Sequence, residues 1–215
     1  MTRRRGVRAR TRRRTITAVP RPDAGRERGT ALVEAAIVTP LFFALLFAVI
    51  EGGMAFYERL SVANMALAGA RTASSQGNEA LADYYVLQSV GAHGGGVSAG
   101  RINSIVVYRA TAPGAEVPSA CKLASVVDTC NHYVGTDLAK DATQFGCLGP
   151  PGPTTKIDRY WCPTTRRTAL GGPNGPPDFI GVYVEALHDD LTGIFGRSLV
   201  LRSDRIIRTE PRTLT

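Results

Sequence analysis

Polar and apolar positions along the chain fall into distinct regimes. From Met1 to Arg28 most positions are polar or a Gly/Pro breaker, and the few apolar ones show no period. From Ala35 to Ile50 the run Ala-Ala-Ile-Val-Thr-Pro-Leu-Phe-Phe-Ala-Leu-Leu-Phe-Ala-Val-Ile carries no charge. As a helix rising ~1.5 Å per residue it covers ~24 Å. Adding Gly29 to Val33 and Gly52 to Tyr57 takes it past the ~30 Å hydrocarbon thickness of a bilayer. Residues 29–57 are therefore predicted to form a transmembrane helix, with Pro40, Phe43 and Leu46 inside the span. Pro40 removes one helix hydrogen bond there and is expected to kink the segment.

Past the span, Phe56, Leu60, Ala63, Leu67 and Ala70 recur at helical spacing, while Glu58, Arg59, Asn64 and Arg71 fall elsewhere on the wheel. This pattern predicts an amphipathic helix continuing to about Ser75, its stripe packing on its own domain or on a partner helix of similar periodicity. Gly77-Asn78 interrupts it, and Glu79 to Val90 reads as a shorter helix before the Gly94-Gly-Gly run. Ile102 to Arg109, Phe179 to His188 and Ser198 to Arg208 read as strands. In the second, Ile180, Val182, Val184 and Ala186 alternate with Tyr183 and Glu185; in the third, Leu199 and Leu201 share a side. Helices followed by strands predict an α+β fold in which a small antiparallel sheet packs on the long helix. Between the first two strands, about 111–178 is a Pro-, Gly- and Thr-rich excursion that includes Gly149-Pro-Pro-Gly-Pro and Gly171-Gly-Pro-Asn-Gly-Pro-Pro. A loop that long is unusual in a compact domain, so it is expected to be an ordered surface excursion held by cross-links.

Charge sharpens this division. Met1 to Arg28 holds 11 Arg against Asp23 and Glu27, a net +9, so the remainder of a chain of net charge +8 sums to −1. A charged, apolar-poor head cannot bury enough surface to fold, and residues 1–28 are expected to be disordered. Without aromatic interleaving or a folded module, its charge does not predict specific nucleic-acid binding. Instead it sets topology: by the positive-inside rule the N-terminus is cytoplasmic, and residues 58–215 form an extracytoplasmic domain on a single-pass plasma-membrane anchor. The Arg side chains then also meet anionic lipid headgroups. A cleaved secretory signal is disfavoured, because the apolar core exceeds the usual ~7–15 residues and Glu51-Gly-Gly-Met-Ala is a poor cleavage site.

The cysteines, Cys121, Cys130, Cys147 and Cys162, all lie on the exported side. There, an even set reads as disulfides, with three pairings open. Their spacing lacks the close pairs of zinc sites, and no metal or other cofactor is predicted. Trp161, beside Cys162, is expected to pack against a bridge.

Glu34 is the unusual residue, since a carboxylate at the start of an apolar helix is costly without a partner. Arg28-Gly29-Thr30-Ala31-Leu32-Val33-Glu34 resembles the prepilin arrangement, in which a peptidase cuts after a Gly that follows a basic leader and the mature helix carries Glu at its fifth position. More specifically, Arg28-Gly-x-x-x-x-Glu34-Ala-Ala-Ile-Val-x-Pro40-Leu, then Glu51-Gly-Gly and Gly69-Ala70-Arg71-x-Ala73, resemble the TadE-like family, pseudopilin-like components of tight-adherence (Flp) pilus systems. Val182 to His188, Leu191-Thr-Gly-Ile-Phe, Leu199-Val-Leu and Arg208-Thr-Glu210 look like that family's closing strands. The resemblance implies a pilin-like fold, cleavage between Gly29 and Thr30, and subunit registration by Glu34. In such registration the carboxylate meets the freed α-amine of a neighbouring subunit. The partners implied are other pilin-like or Tad secretion subunits and a prepilin peptidase.

No motif points to catalysis. His93, His132 and His188 are scattered, and there is no G-x-S-x-G elbow, P-loop, H-E-x-x-H or dinucleotide fingerprint. His188-Asp189-Asp190 is expected to be a strand end entering a solvated turn. The resulting expectation is a non-catalytic minor pseudopilin or assembly protein of a tight-adherence system. A membrane-tethered module that recognises an envelope or surface ligand through the Cys-containing excursion is the alternative.

Overall fold

The computed structural model describes residues 26–149, 154–172, 175–190, 193 and 198–211, without the side chains of 26–28. The Arg-rich head through residue 25, the Pro-Pro-Gly-Pro run at 150–153 and most of the Leu191-Thr-Gly-Ile-Phe segment lie outside the described residues. The chain divides into two compact units, 1–45 and 46–215.

Helix α1, Arg26–Gln76, runs through Pro40 without a break. Its first part is the apolar run. Leu32, Ile37, Leu41, Phe43, Leu46 and Val49 are all exposed, so no protein core explains their character. This is the single described helix long and apolar enough to cross a membrane. Its later part is rich in Ala, the best helix former. The helix stops at Gly77, whose φ of 55° only glycine adopts cheaply and whose N–H caps the Ala73 carbonyl at 3.0 Å.

The face that α1 buries on its own domain is offset from the predicted stripe and shares Ala70 with it. Val62, Met65, Ala66, Ala70, Ala73 and Ser74 are buried together with Glu51, Glu58 and Ser61, whereas Phe56 and Leu60 are exposed and Leu67 is half-buried. Small side chains let the helix approach the sheet closely, and ion pairing accommodates Glu58 on the inner face, so side-chain size misreads the stripe. Gly69 marks the closest approach: a Cβ there would meet Val90 at 2.9 Å and Val182 at 3.0 Å. Helix α2, Ala82–Ala92, lies against the same region through Val86, Leu87 and Val90.

The sheet is antiparallel throughout, in the order β2-β1-β3-β4, with β1 Ile102–Ala110, β2 Cys130–Tyr133, β3 Phe179–Asp189 and β4 Ser198–Arg208. The α+β class and three of these strands follow the sequence pattern. Strand β2 does not: it lies inside the excursion, too short and polar (Cys-Asn-His-Tyr) to show a period. It pairs with β1 from Ile105↔Tyr133 to Tyr108↔Cys130.

Ile105, Val107, Ile180, Val182, Val184 and Ala186 face α1 and α2, alongside Phe145 and Trp161 from the excursion. Each fully buried Val, Ile or Phe among them stabilises the fold by roughly 1.5–3 kcal/mol relative to exposure. The opposite face, Val106, Tyr108, Ala110, Cys130 and Tyr183, is covered by Val117 and Cys121. The excursion therefore wraps both faces of the sheet and supplies core, a correction to its reading as a surface feature. Disulfides Cys121–Cys130 and Cys147–Cys162 hold its two halves.

Candidate functional site

In the first unit, the residues that carry the family resemblance follow one another along α1. Gly29 has open space around its Cα, and Thr30 and Glu34 are exposed among exposed Leu32, Val33, Ile37 and Val38. A carboxylate on this surface faces whatever surrounds the helix. In hydrocarbon it would be strongly disfavoured unless it meets a cation or takes up a proton. Pro40 and Phe43 sit farther along the same exposed surface, Phe42 and Phe43 stacking edge to face at 5.8 Å; Leu46, the first residue of the second unit, is also exposed. The cysteines lie in the other unit and take no part in this set.

In the second unit, α1 carries buried carboxylates on its inner face, Glu51 and Glu58, one heptad apart and therefore in line. Glu58 is held from two sides. Arg101, at the turn before β1, donates to its Oε1 at 2.7 Å and to the Gly96 carbonyl at 2.7 Å. His188 Nδ1, near the end of β3, lies 2.9 Å from Glu58 Oε2, and its Nε2 lies 3.6 Å from Asp190. His188 is thus buried, not in a solvated turn. The expectation fails because the sheet's end is covered by α1, whose Glu58 can partner the imidazole. The cluster joins α1, the 96–101 turn and β3. With all four cysteines in disulfides, the described residues offer no thiolate for His188 to activate. Its geometry is that of an ion-pair clasp.

A second polar cluster pins α2 to the excursion. Asp83, fully buried, accepts from Asn131 Nδ2 at 2.8 Å, Tyr133 Oη at 2.7 Å and the Arg166 guanidinium. Arg166 also lies over the Trp161 ring, 4.4 Å from its centroid. Burial, then the negative charge of Asp83, raises the Tyr133 hydroxyl well above its ordinary pKa. Asp158 is also raised, first by burial and then by Asp83, although its Oδ2 accepts from the Gly146 and Cys147 amides. Both perturbed groups belong to this structural network, so their titration does not mark a catalytic centre. Among the described residues no group of three or more His, Cys, Asp or Glu could hold a metal ion.

Sequence reasoning singled out Gly29, Thr30, Glu34 and the cysteines but missed Glu58, Arg101 and Asp83. Charge at 58 and 83 is visible in the sequence. Which face of each helix is buried is not.

The family model for TadE-like protein matches residues 29–71. The match covers the apolar run and α1 through Gly69-Ala70-Arg71, and ends before β3 and β4. No curated protein and no solved structure matches the chain.

Proposed function

We propose that this chain, TadE-like over residues 29–71, is a non-catalytic subunit of a tight-adherence (Flp-type) pilus or secretion system. It works as a minor pseudopilin or assembly protein. The observation that carries the reading is Glu34 on the exposed apolar surface of α1, at the fifth position after Gly29 and within the matched segment. A carboxylate there has a strong preference for a cation brought by another subunit, because low dielectric penalises the unpaired charge. Cleavage between Gly29 and Thr30 would free an α-amine on each subunit, and that amine is the cation that registers neighbouring helices. The head stays in the cytoplasm under the Arg excess, and the 58–215 domain lies outside, where its disulfides are stable.

Two measurements test this reading together. Mass spectrometry of the membrane-bound protein should find an N-terminus at Thr30; an intact leader would remove the amine-pairing step. Glu34→Ala should leave membrane insertion intact and reduce surface-fibre assembly severely. Normal fibre yield from that variant would overturn the registration role.

A further inference from the structure

Within the 46–215 unit, large apolar side chains remain exposed at the end of the predicted span and past it. Phe56 is 63% exposed, Leu60 48%, Leu199 50% and Val200 42%. A groove of about 470 Å³ joins Phe56 to Leu199 and Val200, lined by Ala55, Phe56 and Arg59 of α1 and by Leu199 to Arg202 of β4. The start of β4 therefore sits beside α1 at the level of Phe56.

On α1 this surface continues the apolar run. Val49, Phe56 and Leu60 follow one another at intervals of seven and four residues, so they lie on one helix face. Between them Gly52 and Gly53 add no side chain and have open space around them. From Val49 to Leu60 the charged residues are Glu51, Glu58 and Arg59, and both carboxylates are buried on the inner face. The exposed surface of this stretch thus combines aromatic and aliphatic groups with one cation.

Depth can be read from helix rise. Taking Tyr57, the end of the predicted span, as the hydrocarbon edge, Phe56 lies within ~2 Å of it along the axis, and Arg59 and Leu60 lie ~3 Å and ~4.5 Å beyond it. The headgroup zone extends roughly 5–8 Å beyond the hydrocarbon on each side. Aromatic rings and Arg side chains concentrate there because each has an apolar body and a polar or cationic partner in the headgroups.

We propose that this face lies in the headgroup zone of the bilayer that α1 crosses, with Phe56, Leu199 and Val200 against lipid and Arg59 at phosphate level. The first residues of β4 are then a second membrane contact beside the helix. It restricts tilting and rotation of the 46–215 unit about its anchor. The occupant is phospholipid because the surface continues, on the same helix face, one already exposed along the apolar run. A protein partner is the competing outcome. This proposal rests on the membrane-anchor reading, and its test separates the two.

The full chain, in nanodiscs of phosphatidylcholine and phosphatidylglycerol at one copy per disc, would carry a nitroxide label at Val49→Cys, Leu199→Cys, Val200→Cys or Leu123→Cys in turn. Position 123 is exposed on the excursion and serves as the aqueous reference. Retained far-ultraviolet dichroism would identify folded variants, and two neighbouring β4 positions guard against one failing to fold. Labels at 199 and 200 should collide with oxygen in preference to a water-soluble nickel chelate. Their collision ratio should fall between those at 49 and 123. A ratio at both β4 positions equal to that at 123, with 49 still in lipid, overturns the proposal alone. Water access at 49 overturns the anchor reading itself. Protection that appears only when two copies share a disc, with dipolar broadening, would make this face a contact between copies.

Discussion

Asp158 shows how a single buried residue sets a measurable pH response. Its carboxyl is raised by burial and by the charge of Asp83. Between the ordinary carboxylate range and that raised value, the folded chain holds a proton that the unfolded chain has released. Stability from this site is therefore full at low pH and falls as pH rises through the window. Asp158→Asn, whose side-chain oxygen can still accept from the Gly146 and Cys147 amides, removes the effect. Melting of the full chain in detergent should show the variant gaining on the parent as pH increases, with a plateau above the raised value. A difference that does not vary with pH would contradict the assignment. Neither the burial of Asp158 nor its nearness to Asp83 can be read from positions 75 residues apart in sequence, since both depend on the excursion folding back over α2.

At the scale of elements, α1 combines a surface for hydrocarbon with one for a protein core. The change occurs where Ala-rich spacing replaces Leu and Phe. The excursion is the more instructive element. Composition marks 111–178 as loop, and most of it is indeed irregular, with short helical turns such as Ser119–Lys122 and Gly135–Ala139. Its core contribution comes from single residues, Tyr133, Phe145 and Trp161, that have no period to detect. Deleting it would take β2 and these side chains out of the core, so such a deletion tests folding and not ligand recognition. The Cys147–Cys162 bridge spans a sequence separation of 15 and sits next to Trp161. Replacing both cysteines by Ser should lower stability by about 3 kcal/mol, the loop-closure entropy of a closed segment of that size. Denaturant unfolding of the full chain checks this value. A loss well under about 1 kcal/mol would mean that the unfolded chain is already compact there.

For the whole molecule, the proposed topology rests on the charge asymmetry and the apolar run. It sets the Arg-rich head beside an anionic leaflet and the disulfide-bearing part in an oxidising exterior. Protease added to intact spheroplasts should remove the region beyond the span and leave an epitope in the Arg-rich head protected until the membrane is opened. The reverse pattern would invert the proposed topology. That topology also decides which bilayer surface Phe56 and β4 meet.

Much of this protein is legible in its sequence because the properties concerned are local or periodic. Length and apolarity define the helix that can cross a membrane, β-branched alternation marks three strands, and Gly29 and Glu34 lie within the segment that the family model matches. Only tertiary structure decided which helix face is buried, that the excursion covers both faces of the sheet, how the cysteines pair, and that Glu58 and His188 meet across 130 positions. The reason is physical. A period reports a side chain's position relative to its own backbone, whereas partner choice depends on close approach, as at Gly69, and on charges that are tolerable inside only once their counterparts arrive. The exposed apolar run at the start of the chain needed no such information, which makes the membrane anchor its most readable feature.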